Sequence, residues 1–140
     1  MRGEREHVQV GDSRSMVVVE SLTRTQIVMY AGASGDYNPL HTDEVYAVQV
    51  AGYPSVFAHG MLSMGATARL LTDWFGDEEL VSYGVRFVNQ VWPGDTLTAS
   101  ATVAAIRVEG DARYADLTVN TVNQDGKPVV SGTATARLGS

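Results

Sequence analysis

No cysteine occurs among the 140 residues, so disulfides, thiolate nucleophiles and cysteine-ligated zinc are excluded together. Basic residues are scarce: ten Lys and Arg against sixteen Asp and Glu leave a formal net charge of −6. Coating a phosphate backbone needs many cations, so no nucleic-acid partner is expected, although a few arginines suffice for a small anionic ligand. Only three histidines are present, which keeps the candidates for acid–base work near neutral pH few. No apolar run approaches the roughly 18 residues of a membrane span. The charged stretch 1–7 lacks the apolar segment of a secretory signal. No membrane partner and a cytoplasmic address are therefore expected. What is present, 44% hydrophobic and 19% charged residues, is the make-up of an ordinary folded chain. Residues 1–140 are expected to form one domain, long enough to bury roughly two-thirds of its unfolded surface.

Local patterns divide the chain into three stretches. Residues 8–22 read as an extended entry with Val17-Val18-Val19 as its strongest β signal. Thr23-Arg24-Thr25-Gln26 fits a capping box, with Leu22 and Ile27 placed as a hydrophobic staple, so a helix is expected over 23–33. Gly35-Asp36-Tyr37-Asn38-Pro39 then forms a loop, because Pro39 pushes Asn38 out of the helical region. A second short helix is expected over 43–51, capped by Asp43. From residue 60 to Trp74-Phe75 nearly every residue is apolar or small, which marks a helix buried in the middle of the fold and stopped by Gly76.

After residue 80 the period changes to that of strands. Val81, Tyr83, Val85 and Phe87 form one face. Trp92-Pro93-Gly94-Asp95 is a turn, and Leu97, Ala99, Ala101 and Val103 continue the alternation. The apolar phase flips to Ile106 and Val108 beyond Ala104-Ala105, which predicts a β-bulge. Glu109-Gly110-Asp111 and Gln124-Asp125-Gly126-Lys127 close hairpins. Leu117 and Val119 mark one inward face, and Val130, Ala134, Ala136 and Leu138 another. One strand, a buried helix and four further strands make an α+β layout. An antiparallel sheet wrapped around a long central helix is the hot-dog fold, and its open edges predict dimerisation.

Two places could carry chemistry. His41 follows Asp36 by five positions in a constrained loop, where a carboxylate, the Asn38 carboxamide and an imidazole could converge on one small molecule. The competing reading makes Asp36 a turn former and His41 a solvated side chain. His59-Gly60 precedes the buried helix, whose free N–H groups favour a developing anion; against that, His59 can equally be a satisfied core residue. His7 reads as a surface residue. A metal held by Asp36, His41, Asp43 and His59 is not expected, since no H-E-x-x-H helix and no cysteine are present. Ser34, Ser55 and Ser63 lack a G-x-S-x-G elbow, and Gly32-Ala33-Ser34-Gly35 sits at a helix end, the wrong context for a phosphate loop.

The segment Tyr30-Ala31-Gly32-Ala33-Ser34-Gly35-Asp36-Tyr37-Asn38-Pro39-Leu40-His41, followed by Phe57-Ala58-His59-Gly60-Met61, resembles the hydratase-2 signature of the MaoC-like hydratases and dehydratases. Tyr83-x-Val85-Arg86-Phe87 and Val91-Trp92-Pro93-Gly94-Asp95 extend the resemblance over nearly the whole chain. It implies a single hot-dog domain working as a dimer, either a homodimer or a heterodimer of hot-dog chains. It also implies reversible, stereospecific addition of water to trans-2-enoyl thioesters, giving (3R)-3-hydroxyacyl thioesters. Asp36 and His41 match the catalytic aspartate and histidine, Asn38 the asparagine that helps hold the water, and Gly60 the residue whose N–H binds the thioester carbonyl. A supporting serine found on the central helix of some relatives falls at Ala68 here. No metal and no redox cofactor are implied.

Substrate contacts are expected from His59, Met61 and Met64, with Leu62 and Leu71 also along the acyl chain. Arg86, Arg69 or Lys127 are candidates for the phosphates. The carrier is expected to be coenzyme A, because acidic carrier proteins prefer basic faces; an acyl-carrier-protein thioester is the alternative, as in mycobacterial 3-hydroxyacyl-carrier-protein dehydratase subunits, which the chain resembles around Gly60-Met61-Leu62-Ser63-Met64-Gly65. Two other classes remain. A non-catalytic acyl-thioester binder should lack the Asp36 and His41 pair. A hot-dog thioesterase should carry its carboxylate on the central helix, where Asp73 is the only acid and lies near the wrong end.

Overall fold

Thr23 sets the first helix as its sequence predicts. Its hydroxyl accepts from the Gln26 N–H at 3.0 Å, and the Gln26 side chain accepts from the Thr23 N–H at 2.8 Å. Leu22 and Ile27, on either side of the cap, both enter the main core. The computed structural model describes residues 7–139. Within them β1 (Ser13–Val19) leads to α1 (Arg24–Ser34), a single π-helical turn (Tyr46–Val50) and the long helix α2 (Gly60–Phe75). A 3-10 turn (Asp77–Glu79) then enters β2 (Leu80–Phe87), β3 (Leu97–Glu109), β4 (Ala112–Val122) and β5 (Pro128–Gly139). The membrane expectation meets one structural fact: no helix among the described residues is long and apolar enough to cross a bilayer.

The five strands form one sheet in the order β1-β3-β4-β5-β2, every neighbouring pair antiparallel. Its concave face holds α2, so that Leu70, Leu71, Trp74 and Phe75 share one core with Ala101, Val103, Leu117, Val119 and Ala134. This is the hot-dog fold. Small residues on the strands leave room for the helix, and the large ones on α2 fill it. The core also contains a polar line. Thr67 and Thr121, both fully buried, share a hydrogen bond at 2.6 Å. Tyr83 donates its hydroxyl to the Met64 carbonyl at 2.8 Å, and burial pushes its phenol up to about 12.

Three local expectations are corrected or refined. The bulge is where the phase flips, between Val103 and Ala105. A second bulge, between Leu80 and Ser82, turns Val81 out of the predicted inward face and leaves it 59% exposed. The helix expected over 43–51 is present over residues 44–50, but it widens to a π-helix from Tyr46. Asp43 does cap it, accepting from the Tyr46 N–H, but the Ala51 N–H reaches back five residues to Tyr46. The wide turn draws Ala47 fully inside while Val45 and Val50 stay exposed.

Gly132 is where β5 meets β2 most closely. It pairs with Val85 on one side and Val119 on the other. A Cβ there would stand 2.0 Å from the Gly84 carbonyl oxygen and 2.7 Å from the Val85 Cα. Backbone atoms cannot rotate away as side chains do, so overpacking of this kind costs about 3 kcal/mol. Gly132→Ala is expected to lower Tm by roughly 5 °C or more in thermal unfolding. An unchanged Tm would contradict this strand register.

Candidate active site

The loop after α1 is held by its own polar side chains. Gly35 ends the helix in the left-handed conformation (φ 76°), with its N–H on the Ala31 carbonyl at 3.0 Å. Asp36 Oδ1 accepts from the Asn38 N–H at 3.3 Å, and Asn38 Oδ1 from the Leu40 N–H at 3.0 Å. The His41 N–H returns to the Asn38 carbonyl at 3.0 Å. These successive turns convert Asp36-Tyr37-Asn38-Pro39-Leu40-His41 into a defined scaffold. Asn38 therefore spends its carboxamide oxygen on the loop itself. An ion pair from Arg24 to Glu44 ties α1 to the segment beyond the loop.

The second loop, ahead of α2, meets the first through two imidazoles. His41 Nδ1 lies 2.6 Å from the Phe57 carbonyl oxygen, and His59 Nε2 lies 3.0 Å from the Asp36 carbonyl oxygen. A carbonyl only accepts, so each of those nitrogens carries the proton. The lone pair of neutral His41 is thereby placed on Nε2, and that of His59 on Nδ1. The rings stack with centroids 3.8 Å apart and planes at 25°. Tyr30 of α1 also packs against His59, with centroids 4.8 Å apart. Phe57 is also bound through its N–H to the Leu40 carbonyl at 3.3 Å, and the Ala58 N–H to Val91 at 2.8 Å.

Gly60 opens α2 directly after His59, so its N–H belongs to the first turn, where helix geometry provides no partner. A Cβ on Gly60 would stand 3.1 Å from ring carbons of Phe87; glycine allows that ring to lie flat on the backbone. Beside it opens a cavity of about 250 Å³ lined by Phe57, Gly60, Ser63, Phe87, Val91 and Val130, among others. A shallower groove between β1, α1 and α2 is lined by Val19, Tyr30, Leu62 and Ala66, among others.

The family described as MaoC like domain matches residues 6–124. The chain belongs to this family. An (R)-specific enoyl-CoA hydratase of Rhodospirillum rubrum is 33% identical over 135 residues, covering 95% of this chain and 90% of that protein. The 3-hydroxyacyl-thioester dehydratase Y of Mycobacterium tuberculosis is 34% identical over 101 residues, 69% of this chain but 35% of that protein. Among solved structures, the (R)-hydratase from A. caviae involved in PHA biosynthesis superposes with a TM-score of 0.79 at 27% identity, covering 93% of this chain and 96% of that one. Several curated relatives are longer, and the chain spans about a third of their length or less.

Of the residues singled out in this MaoC-like sequence, the structure brings together Asp36, His41 and His59, each placing one carboxylate oxygen or ring nitrogen within 4.8 Å of the others. Gly60 adjoins them. His59 is 2% exposed and His41 9%, whereas Asp36 is exposed in the single chain. Asp36, His41 and His59 are also the donors a divalent ion would use. Each imidazole already commits one ring nitrogen to a main-chain carbonyl, which leaves one lone pair apiece. Asp43 stands apart, occupied in capping the π-helical turn.

Other positions depart from expectation. Leu71 is fully buried core and lines neither cavity. Leu62 faces the groove on the α1 side. Met61 is 54% exposed, and Met64 is half-buried with its carbonyl held by Tyr83. Arg86 is exposed and, by strand alternation, points to the face opposite Phe87. Arg69 donates to the Val18 carbonyl at 3.2 Å. Ala68 stands eight residues beyond Gly60 in α2, roughly 12 Å of helix rise away. Ser63, Phe87 and Val130 line the cavity beside Gly60 without having been picked out as lining residues. Their meeting depends on how β2 and β5 curve over α2, for which local sequence carries no signal.

Burial lowers the His59 pKa below its usual 6.5; the Asp36 carbonyl raises it in part, and the neighbouring His41 lowers it further. A base harder to protonate folded than unfolded stabilises the native state above pH 6.5 and loses that contribution as the pH falls through and below it. Tm is therefore expected to drop on acidification below about pH 6.5, and His59→Gln, with no titrating ring, to flatten part of that drop. Identical Tm–pH curves for the two proteins would contradict the burial argument.

Proposed function

We propose that the chain adds water reversibly to trans-2-enoyl thioesters, giving (3R)-3-hydroxyacyl thioesters, with Asp36 and His41 acting on one water molecule. The observation that carries this reading is the convergence of the Asp36 carboxylate with His41, whose Nδ1 proton is held by Phe57 so that Nε2 offers a lone pair. Membership of the MaoC-like family supports it. In the forward direction His41 Nε2 takes one proton from water as the oxygen bonds to C3. The Asp36 carboxylate accepts a hydrogen bond from the other proton and orients the attack. The electron pair of the C2–C3 double bond moves toward the thioester, and the charge that develops on its oxygen faces the Gly60 N–H at the start of α2. One such donor is worth about 3 kcal/mol. C2 then receives the proton held by the pair, and no electrons are gained or lost overall, so the balance calls for no redox cofactor. Asn38 serves by shaping the turn that carries both groups.

The thioester carbonyl at Gly60 directs the acyl chain toward the cavity under Phe87, which Ser63 and Val130 also line. The net charge of −6 favours coenzyme A over an acidic carrier protein. Val81, Met61 and the half-exposed Phe87 lie at or beside the open β2 edge. We take that edge as the place where a second hot-dog chain, identical or related, completes the site.

The test is hydration of crotonyl-CoA, followed by loss of the conjugated thioester absorbance. Asp36→Asn and His41→Ala are each expected to lower kcat/KM by at least about a hundredfold while circular dichroism and Tm stay close to those of the unaltered protein. Near-normal turnover by either folded variant would contradict the assignment.

A further inference from the structure

The two nitrogens of His59 are not equivalent, and their difference assigns the residue a role. Nε2 is bonded to the Asp36 backbone carbonyl at 3.0 Å. Nδ1 is buried with no hydrogen-bond partner among the described residues. A ring chosen only to fill space between Tyr30 and His41 would be better served by a phenyl group, which strands no buried acceptor. A ring chosen to contact substrate would present a nitrogen to it, yet Nε2 is taken by the Asp36 carbonyl and Nδ1 is buried. What remains in use is one N–H, and it is aimed at the main chain of the residue whose carboxylate is proposed to orient the water.

We infer that His59 is a positioning residue for Asp36, acting through that single Nε2–H···O=C bond. It works with His41 as a reciprocal latch. The loop at 36–41 sends His41 to the carbonyl of Phe57, and the loop at 57–60 sends His59 to the carbonyl of Asp36. Each loop thus fixes the other's catalytic element: the first bond sets the His41 tautomer, and the second holds the main chain of Asp36. The role rests on the hydratase reading for its effect on turnover, while the hydrogen bond itself is independent of that reading.

Side-chain geometry supplies a sharp test. Counted along the chain from Cβ, the amide nitrogen of Gln falls where His places Nε2, and that of Asn where His places Nδ1. His59→Gln is expected to keep kcat for crotonyl-CoA hydration within about threefold of the parent. His59→Asn and His59→Phe should each lose at least about tenfold in kcat with KM little changed, since small misplacements of a reacting group carry penalties of that order or more. If His59→Phe or His59→Asn matches His59→Gln, the role is overturned. If the loss falls on KM instead, His59 is a substrate contact.

A second measurement does not depend on activity or on variants that fold. Long-range ¹H–¹⁵N spectra of the ring near pH 7 should show His59 as the neutral Nε2–H tautomer. An Nδ1–H tautomer or rapid tautomer exchange would refute the latch. Failure of the parent protein to hydrate any enoyl thioester, with the Nε2–H tautomer observed, would remove the functional reading and leave the latch standing.

Discussion

Two imidazole–carbonyl hydrogen bonds, crossing in opposite directions between the loops at 36–41 and 57–60, are the constraint on which the site depends. Neither loop has regular structure to hold it in place. The first is shaped by Asx turns from Asp36 and Asn38, and the second by main-chain bonds from Phe57 and Ala58 to Leu40 and Val91. The Phe57 N–H to Leu40 carbonyl bond already joins the two loops through their main chains. The crossed imidazole pair adds a bond from each side, and burial of His59 removes the competing water that would weaken its bond. A side-chain amide could make one such bond, but only imidazole also presents a lone pair tuned for proton transfer near neutrality on the opposite side of the ring.

The sheet and central helix matter to this arrangement as a rigid base. α2 starts at Gly60 and runs along the concave face, with its far end locked by Trp74 and Phe75, whose rings stack 4.6 Å apart. The buried Thr67–Thr121 bond and the Tyr83 bond to Met64 fix the rotation of α2 against β4 and β2. Such directional contacts in an otherwise apolar core define one orientation where hydrophobic packing alone tolerates several. The amide of Gly60 therefore keeps a constant relation to Phe87 and to the cavity beside it.

Much of this was legible in the sequence because it is governed by local rules. The Thr23 and Gln26 cap, the stop at Gly35, the bulge after Val103 and the turn at Trp92-Pro93-Gly94-Asp95 each follow from residues within a few positions of one another. Asp36 and His41 stood out because their loop places three functional groups within six residues. What escaped detection depends on contacts distant in sequence. The π-helical turn accompanies the burial of Ala47, the outward face of Val81 comes from its pairing with β5, and the cavity wall from Ser63, Phe87 and Val130 meeting across three elements. The role of His59 was the least accessible, since a buried histidine before a helix has the same local appearance whether it binds substrate, fills the core or holds a loop 23 residues away.

The central claim is spatial: one water sits between the Asp36 carboxylate and His41 Nε2 while the thioester oxygen rests on the Gly60 N–H. A crystal structure with a bound (3R)-3-hydroxybutyryl thioester of coenzyme A tests this most directly. The account predicts the 3-hydroxyl oxygen within about 3 Å of both side chains and the carbonyl oxygen at a similar distance from the Gly60 nitrogen. A hydroxyl placed away from either group, or a carbonyl turned from the start of the central helix, would contradict it.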